Sequence, residues 1–264
     1  MSVTINPLPI LMVAPNGARK TKIDHPALPV SIPETIAVAK ECFDAGANAL
    51  HLHVRDKDGG HTLDSSLYLQ AIAELKQVVP EMAVQITTES VGIYSAPEQR
   101  EVVRALHPDL LSVSLAEMLS DGDTVAATSF YQWCHHESMA LQHILYNEED
   151  LHTLGEMLAN GSIPTDNLQL LFVLGRYSSN QESHRDDLLP FTQWLEDNDV
   201  NADWALCAFG KNESDCLKFG LELGGKVRVG FENSFWNSDG SQASGNPQRV
   251  SEIKSLVDRH YVHK

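Results

Sequence analysis

Basic residues are scarce in this chain. Its 264 residues hold 19 Lys and Arg against 36 Asp and Glu, a formal net charge of −17. Nucleic acids and anionic membrane surfaces are recognised by clustered Lys and Arg, so neither is expected as a partner. Cysteine is sparse as well. Cys42, Cys134, Cys207 and Cys216 are scattered, with no C-x-x-C pair, which reads as reduced thiols in a cytoplasmic protein. No hydrophobic run approaches the roughly 20 residues that span a bilayer. The apolar stretch Pro9 to Ala14 is too short for the core of a secretory signal, and none is expected. A dinucleotide-binding open sheet usually carries G-x-G-x-x-G after its first strand. Here Asn16-Gly17-Ala18-Arg19-Lys20 stands there instead.

What is present is a strict alternation. With 42% hydrophobic and 21% charged residues, the chain can bury a core, and its length suits one large α/β domain spanning 1–264. Short apolar runs predict strands at Ile10–Pro15, Ala49–Arg55, Ala83–Thr88, Leu110–Leu115, Ala140–Tyr146, Leu170–Gly175, Trp204–Ala208 and Val227–Glu232. The segments between them predict helices. Ser31 is placed to cap the first, with Pro33 and Glu34 in its opening turn and Gly46 as its stop. Leu67–Val79, Pro97–Leu106, Thr124–Ser138, Leu151–Leu158, Arg185–Asn198 (interrupted by Pro190), Glu213–Leu223 and Pro247–His260 follow. A strand, a helix and two turns take about thirty residues, which is the observed repeat. The expected fold is a single (β/α)8 TIM barrel.

Side chains alternate faces along a strand. In Leu50-His51-Leu52-His53-Val54-Arg55 the apolar residues suit the helix-facing side, and His51, His53 and Arg55 the barrel interior. Two imidazoles near the C-terminal end of a barrel strand can begin a metal site, although a pair of structural histidines would read the same way. In Val227-Arg228-Val229-Gly230-Phe231-Glu232 the same parity sends Arg228 and Glu232 inward. Closure of a barrel brings its last strand beside its first, so Glu232 can reach the histidines across the mouth. His51, His53 and Glu232 would leave positions open on the ion, the pattern of catalytic zinc. The alternative for Glu232 is an ion pair with Arg228.

Arg228 points inward, and a guanidinium can grip a carboxylate in bidentate fashion. Arg19 belongs to the densest basic cluster, Arg19-Lys20-Thr21-Lys22, in the loop after the first strand. It could draw an anionic substrate against the overall field. Gln85 and Thr87, and Ser112 and Ser114, line predicted inward faces and could hydrogen-bond a carboxylate or carbonyl, or simply fill the interior. His135, His136 and His143 are ligand candidates by type alone.

The order of these motifs resembles the β-keto acid cleavage enzyme family, of the 3-keto-5-aminohexanoate cleavage kind. The resemblance runs through Asn16-Gly17-Ala18, Asp24-His25-Pro26-Ala27-Leu28-Pro29, Ala45-Gly46-Ala47, His51-Leu52-His53-Val54-Arg55, Gln85-Ile86-Thr87-Thr88, Phe172-Val173-Leu174-Gly175 and Gly224-Gly225-Lys226-Val227-Arg228-Val229-Gly230-Phe231-Glu232. It implies a zinc-dependent barrel enzyme, usually a homo-oligomer (dimer or tetramer). Such an enzyme takes a small 3-oxo carboxylic acid and acetyl-CoA to acetoacetate and a new acyl-CoA by a retro-Claisen route. It implies zinc on His51, His53 and Glu232, Arg228 at the substrate, and Thr87 and Ser112 on its carboxylate. The chain departs from the family where an E-D-N run becomes Glu232-Asn233. Asn233 therefore occupies a catalytic position with an amide, which cannot serve as a carboxylate base. A P-E-x-E stretch becomes Leu141-Gln142-His143-Ile144, and a Gly-rich loop becomes Arg176-Tyr177-Ser178-Ser179-Asn180. Glu89 and Glu117 are the residues placed to replace a lost base. Two other readings share the barrel: a metal-dependent hydrolase, with His143 as an added ligand, and a non-catalytic metal- or metabolite-binding barrel.

Overall fold

Parallel strands joined by helices close on themselves. A computed structural model describes residues 4–262, so the expected domain, 1–264, extends past the described residues at both ends. The barrel strands are β1 (Leu11–Val13), β2 (Ala49–Leu52), β5 (Ala83–Thr87), β6 (Leu110–Ser114), β7 (Ala140–Leu145), β8 (Gln169–Leu174), β9 (Asp203–Ala208) and β10 (Lys226–Val229). Each pairs in parallel with its neighbour, and β1 pairs with both β2 and β10, which completes the closed barrel. The helices around it are α1 (Ile32–Asp44), α2 (Ser65–Val78), α3 (Ala96–Leu106), α4 (Leu115–Met118), α5 (Thr124–His136), α6 (Glu148–Ala159), α7 (Leu189–Asp197), α8 (Glu213–Glu222) and α9 (Asn246–Val262). Among the described residues, no helix is long and apolar enough to cross a membrane.

Local chemistry sets the helix starts. The Ser31 hydroxyl accepts from Glu34 N while Glu34 accepts from Ser31 N, a reciprocal cap on α1. Asn147 accepts from Asp150 N at 3.0 Å, so α6 begins at Glu148, three residues before the start expected from apolar spacing. Its first turn is acidic, and the apolar pattern does not register it. Pro190 divides the expected Arg185–Asn198 helix into a 3-10 turn, Arg185–Leu188, and α7.

The alternation of faces holds around the barrel. Leu50, Leu52, Leu111, Val113, Phe172, Leu174, Val227 and Val229 lie in the layer between strands and helices. Met12, Ala49, Leu110, Ala140, Ile144, Leu171, Val173, Ala205 and Cys207 form a second apolar cluster, in the interior. The four cysteines are buried and free.

Seven of the eight strand expectations run past the observed strand end, and three of these bear on the site. The predicted Ala49–Arg55 strand leaves the barrel at Leu52; Val54–Arg55 (β3) turns away and pairs antiparallel with His61–Thr62 (β4). Arg55 is accordingly not inside the barrel. Its guanidinium donates to the carbonyls of Gly17, Gly59 and Lys20 and fastens the β1–α1 loop to this hairpin. Leu115 opens α4 under a cap from Ser114 rather than extending β6. The last strand stops at Val229, because Gly230 adopts φ +143° and a Cβ there would lie 2.3 Å from Ala14 O.

Candidate metal centre and anion pocket

The C-terminal ends of the strands surround a cavity of about 110 Å³. His51 enters it from β2, and His53 from the first residue beyond that strand; both are 1% exposed. Their Nε2 atoms lie 3.1 Å apart. Glu232 arrives from the turn after β10. Its amide donates to Ala14 O at 3.0 Å, and its Oε2 lies 3.4 Å from His53 Nε2 and 3.6 Å from His51 Nε2. Among the described residues, this is the group of three or more His, Cys, Asp or Glu whose ligand atoms converge closely enough to hold a metal ion. An ion with bonds of roughly 2.0–2.1 Å in tetrahedral geometry would hold its ligand atoms roughly 3.3–3.4 Å apart, so the spacing fits zinc.

The electrostatics fit a cation too. Burial, with Arg228 nearby, pulls the His51 imidazole down to about 3, so it is neutral and keeps a lone pair at ordinary pH. Burial also works against ionisation of Glu232. The Arg228 guanidinium leads the groups that outweigh it, and the carboxyl is held well below the usual carboxylate range. Glu232 Oε1 accepts from Arg228 Nη2 at 3.1 Å, while Oε2 has no hydrogen-bond donor. The ion pair with Arg228 and the approach to both histidines thus coexist, one on each carboxylate oxygen.

Arg228 is 4% exposed, and its Nε and Nη1 find no partner in the protein. Buried donors left unpaired are costly, and a guanidinium more so, which makes this a place for an anion. Ser112 Oγ, which lines the same cavity from β6, is also without a partner.

A sequence model of the family described as beta-keto acid cleavage enzyme matches residues 9–261. The chain belongs to the beta-keto acid cleavage enzyme family. It is 25% identical over 254 residues to the 3-keto-5-aminohexanoate cleavage enzyme of Acetoanaerobium sticklandii, covering 94% of this chain and 91% of that one. It is 25% identical over 262 residues to the 3-oxoadipate:acetyl-CoA acetyltransferase of Cupriavidus necator, covering 95% and 89%. Solved structures share the fold. A complex of ObcA with oxaloacetate superposes with a TM-score of 0.68 at 14% identity, over 89% of this chain. This chain spans 64% of the ObcA chain. The 3-dehydroquinate dehydratase of Aquifex aeolicus superposes with a TM-score of 0.58 at 14% identity, over 96% of this chain and 99% of that one.

Within this family member, the structure gathers His51, His53, Glu232, Arg228, Arg19, Thr87, Ser112 and Ser114 around the one cavity. Asn233 is not among its lining residues. It is 2% exposed, neither of its side-chain amide atoms has a partner, and its amide N–H closes the turn onto Gly230 O at 2.9 Å. The chain is turning rather than extended there, so strand parity no longer governs where position 233 points. Glu89 and Glu117 both line the cavity. Glu89 pairs with Arg176 at 3.2 Å. Glu117 has no ion pair among the described residues; it accepts from Ser90 N, Ser90 Oγ and Gln99 Nε2, and burial pushes its carboxyl up.

His143 faces out of the barrel, against Tyr131 of α5 at 5.1 Å between ring centroids. His135 and His136 lie on α5, and neither they nor His143 line the cavity. The outward position of His143 follows from parity within β7, where Gln142 and Ile144 are the inward residues.

Other lining residues come from loops: Lys20, expected there only as part of a basic cluster, and Arg176 and Tyr146, to which the sequence assigns no site role. Lys20 reaches the cavity from the β1–α1 loop, donates to Phe231 O at 2.8 Å and is lowered to about 8 by burial, against the pull of Glu213 and Glu232. Arg176 comes from the segment after β8 and lies 5.2 Å from the Phe209 ring centre. Tyr146 enters just beyond β7. Loop residues have no periodicity, so only the closed barrel brings them to one place.

Proposed function

We propose that this chain is a zinc-dependent enzyme converting a small 3-oxo carboxylic acid and acetyl-CoA into acetoacetate and a new acyl-CoA by a retro-Claisen route. One observation carries the reading: three convergent ligand atoms share a cavity with a buried guanidinium that has two nitrogens without protein partners. The names of the relatives support it, since one is an acetyl-CoA acetyltransferase of a 3-oxo acid.

His51, His53 and Glu232 would hold the ion, and two imidazoles with one carboxylate favour zinc. Bound there, zinc would serve as a Lewis acid toward the keto-acid oxygens. Arg228 Nε and Nη1 would grip the carboxylate, and Ser112 and Thr87 would add hydroxyl donors. Glu117 would take the proton from the carbon between ketone and carboxylate. It is the lining acid without an ion pair, and its raised affinity for protons suits a base. Ile144, Val173 and Phe209 make the opposite wall apolar, which fits a short, uncharged substituent on the ketone. Arg19, Lys20 and Arg176 supply positive charge for the phosphates of CoA.

A hydrolase on this barrel would need further histidines from the middle strands, and the outward position of His143 removes the one offered. The test is a turnover screen with zinc-loaded protein, acetyl-CoA and 3-oxo acids bearing alkyl, carboxylate or amino side chains. Acetoacetate paired with a new CoA thioester, strongest for an alkyl acid, is the expected result by mass spectrometry. Silence across the panel with zinc bound would reject the reading in favour of a non-catalytic barrel.

A further inference from the structure

The barrel interior contains a directed chain of hydrogen bonds that the proposed reaction leaves unused. Gln85 Oε1 lies 2.8 Å from His51 Nδ1. Gln85 Nε2 donates to Gln142 Oε1 at 2.9 Å, and Gln142 Nε2 donates to Leu170 O at 3.0 Å. Gln85 is 0% exposed and Gln142 is 1% exposed, so bulk water does not compete for these partners. The residues come from β2, β5 and β7, with β8 supplying the final carbonyl.

The direction of the chain is fixed at one end. A main-chain carbonyl accepts and cannot donate. Leu170 O therefore selects the nitrogen of the Gln142 amide, which leaves the Gln142 oxygen facing Gln85. Gln85 must turn its nitrogen toward that oxygen and its own oxygen toward His51. His51 must then carry its proton on Nδ1, because only an N–H can meet the oxygen of Gln85. Its Nε2 is left as a lone pair, and Nε2 is the atom that faces His53 and Glu232. The opposite tautomer would aim a hydrogen at the place a cation needs and set two acceptors against each other at Nδ1.

We propose that Gln142 is a positioning residue for the metal centre. Acting through Gln85, it holds His51 in the Nδ1–H tautomer, so that the site is ready for a cation before one arrives. The proposal rests on the reading of His51, His53 and Glu232 as metal ligands. It assigns a role to an inward amide on β7, the strand whose outward histidine was the candidate ligand. Groups that fix the tautomer of a ligating histidine typically change metal affinity by about 10–100-fold.

The test separates tautomer from metal. Long-range ¹H–¹⁵N NMR of metal-stripped, histidine-labelled protein, with His51 assigned by its absence in His51→Gln, should show an Nδ1–H imidazole. In Gln142→Met, which keeps the volume but loses both polar atoms, the amide of Gln85 is free to turn. The Nε2–H form should appear, and zinc affinity, read by chelator competition, should fall about tenfold. Gln85→Met should weaken zinc further, toward about 100-fold. Gln142→Glu should preserve the wild-type tautomer and affinity, because a buried neutral carboxylic acid can also donate to Leu170 O while accepting from Gln85.

An Nε2–H His51 in the wild type would overturn the relay, and this measurement needs no variant to fold. So would folded Gln142→Met with an unchanged tautomer, even if zinc binding weakened, since packing alone would then explain the loss. A fixed Nδ1–H tautomer in a wild type that takes no zinc would overturn the metal reading, and the role proposed for Gln142 with it.

Discussion

Glu232 divides its two carboxylate oxygens between different partners. One oxygen accepts from Arg228, and the other faces the Nε2 atoms of His51 and His53. The ion pair with Arg228 thus orients the carboxylate, while Arg228 Nε and Nη1 stay without a protein partner beside the cavity. Replacing Arg228 by Lys should lower kcat/KM on a 3-oxo acid by about 100-fold, because a point charge cannot reproduce the fork that grips a carboxylate. Steady-state kinetics with parallel zinc analysis would check it; an unchanged rate would remove Arg228 from substrate binding. His51→Ala and Glu232→Ala should each abolish bound zinc while the far-UV circular dichroism stays that of the wild type. Full zinc stoichiometry in both variants would refute the ligand assignment. Glu117→Gln should leave zinc content alone and reduce kcat by about 100-fold or more. A kcat within twofold of wild type would move the base elsewhere in the cavity.

The elements that deliver these residues are mostly their ends. Of the three candidate ligands, only His51 lies within a strand; His53 follows β2, and Glu232 follows β10 in a turn that Gly230 permits. The β1–α1 loop touches that turn. Gly17 has φ +61°, and a Cβ on it would lie 2.6 Å from Glu232 Cγ. Gly17→Ala should therefore press directly on a ligand. Isothermal titration is expected to show zinc affinity falling by at least tenfold. The accompanying loss of stability should be only about 1 kcal/mol, the strain of a positive φ. Equal losses of affinity and stability would mean the loop had collapsed rather than displaced Glu232. Strand parity was legible from the sequence here: His51, Gln85, Thr87, Ser112, Ser114 and Arg228 all face inward as alternation requires. Parity also indicated that Glu232 would join them, although the residue arrives by a turn. It failed for Arg55 and gave no guide to Asn233, because both lie where the chain has left the barrel.

Across the whole molecule, buried ionisable groups away from the cavity set the response to acid. His143 is 4% exposed, and burial lowers it to about 3 from an ordinary 6.5. Between those values the unfolded chain binds a proton that the folded chain refuses, so stability rises with pH through this window and falls as pH drops below about 6.5. His143→Phe should remove roughly 2 kcal/mol of the stability lost between pH 7 and pH 5, measured by urea unfolding at both pH values. An identical pH dependence in the two proteins would show that the histidine is charged in the fold. The outer helices hold a buried ion pair as well. Arg249 of α9 and Glu213 of α8 are both 0% exposed and meet at 2.8 Å. Arg249→Met should destabilise by about 3–5 kcal/mol through the stranded carboxylate, and Arg249→Met with Glu213→Leu should recover much of that loss.

The sequence by itself determined the alternation of strand and helix, the inward and outward faces, and hence the barrel and the histidine strand. These depend on local periodicity and on hydrophobic contrast, which are properties of neighbouring residues. The motif order likewise carried the family. What only the tertiary structure decided was convergence. Parity could aim His51, Gln85 and Gln142 inward, but not show that they touch in one line ending on Leu170 O. Strand-end and loop positions placed Lys20, Glu89 and Glu117 on the catalytic face, but did not show their meeting with Arg176 around one cavity. Distances across a closed barrel depend on strand register and loop path, and neither is written in the residues nearby.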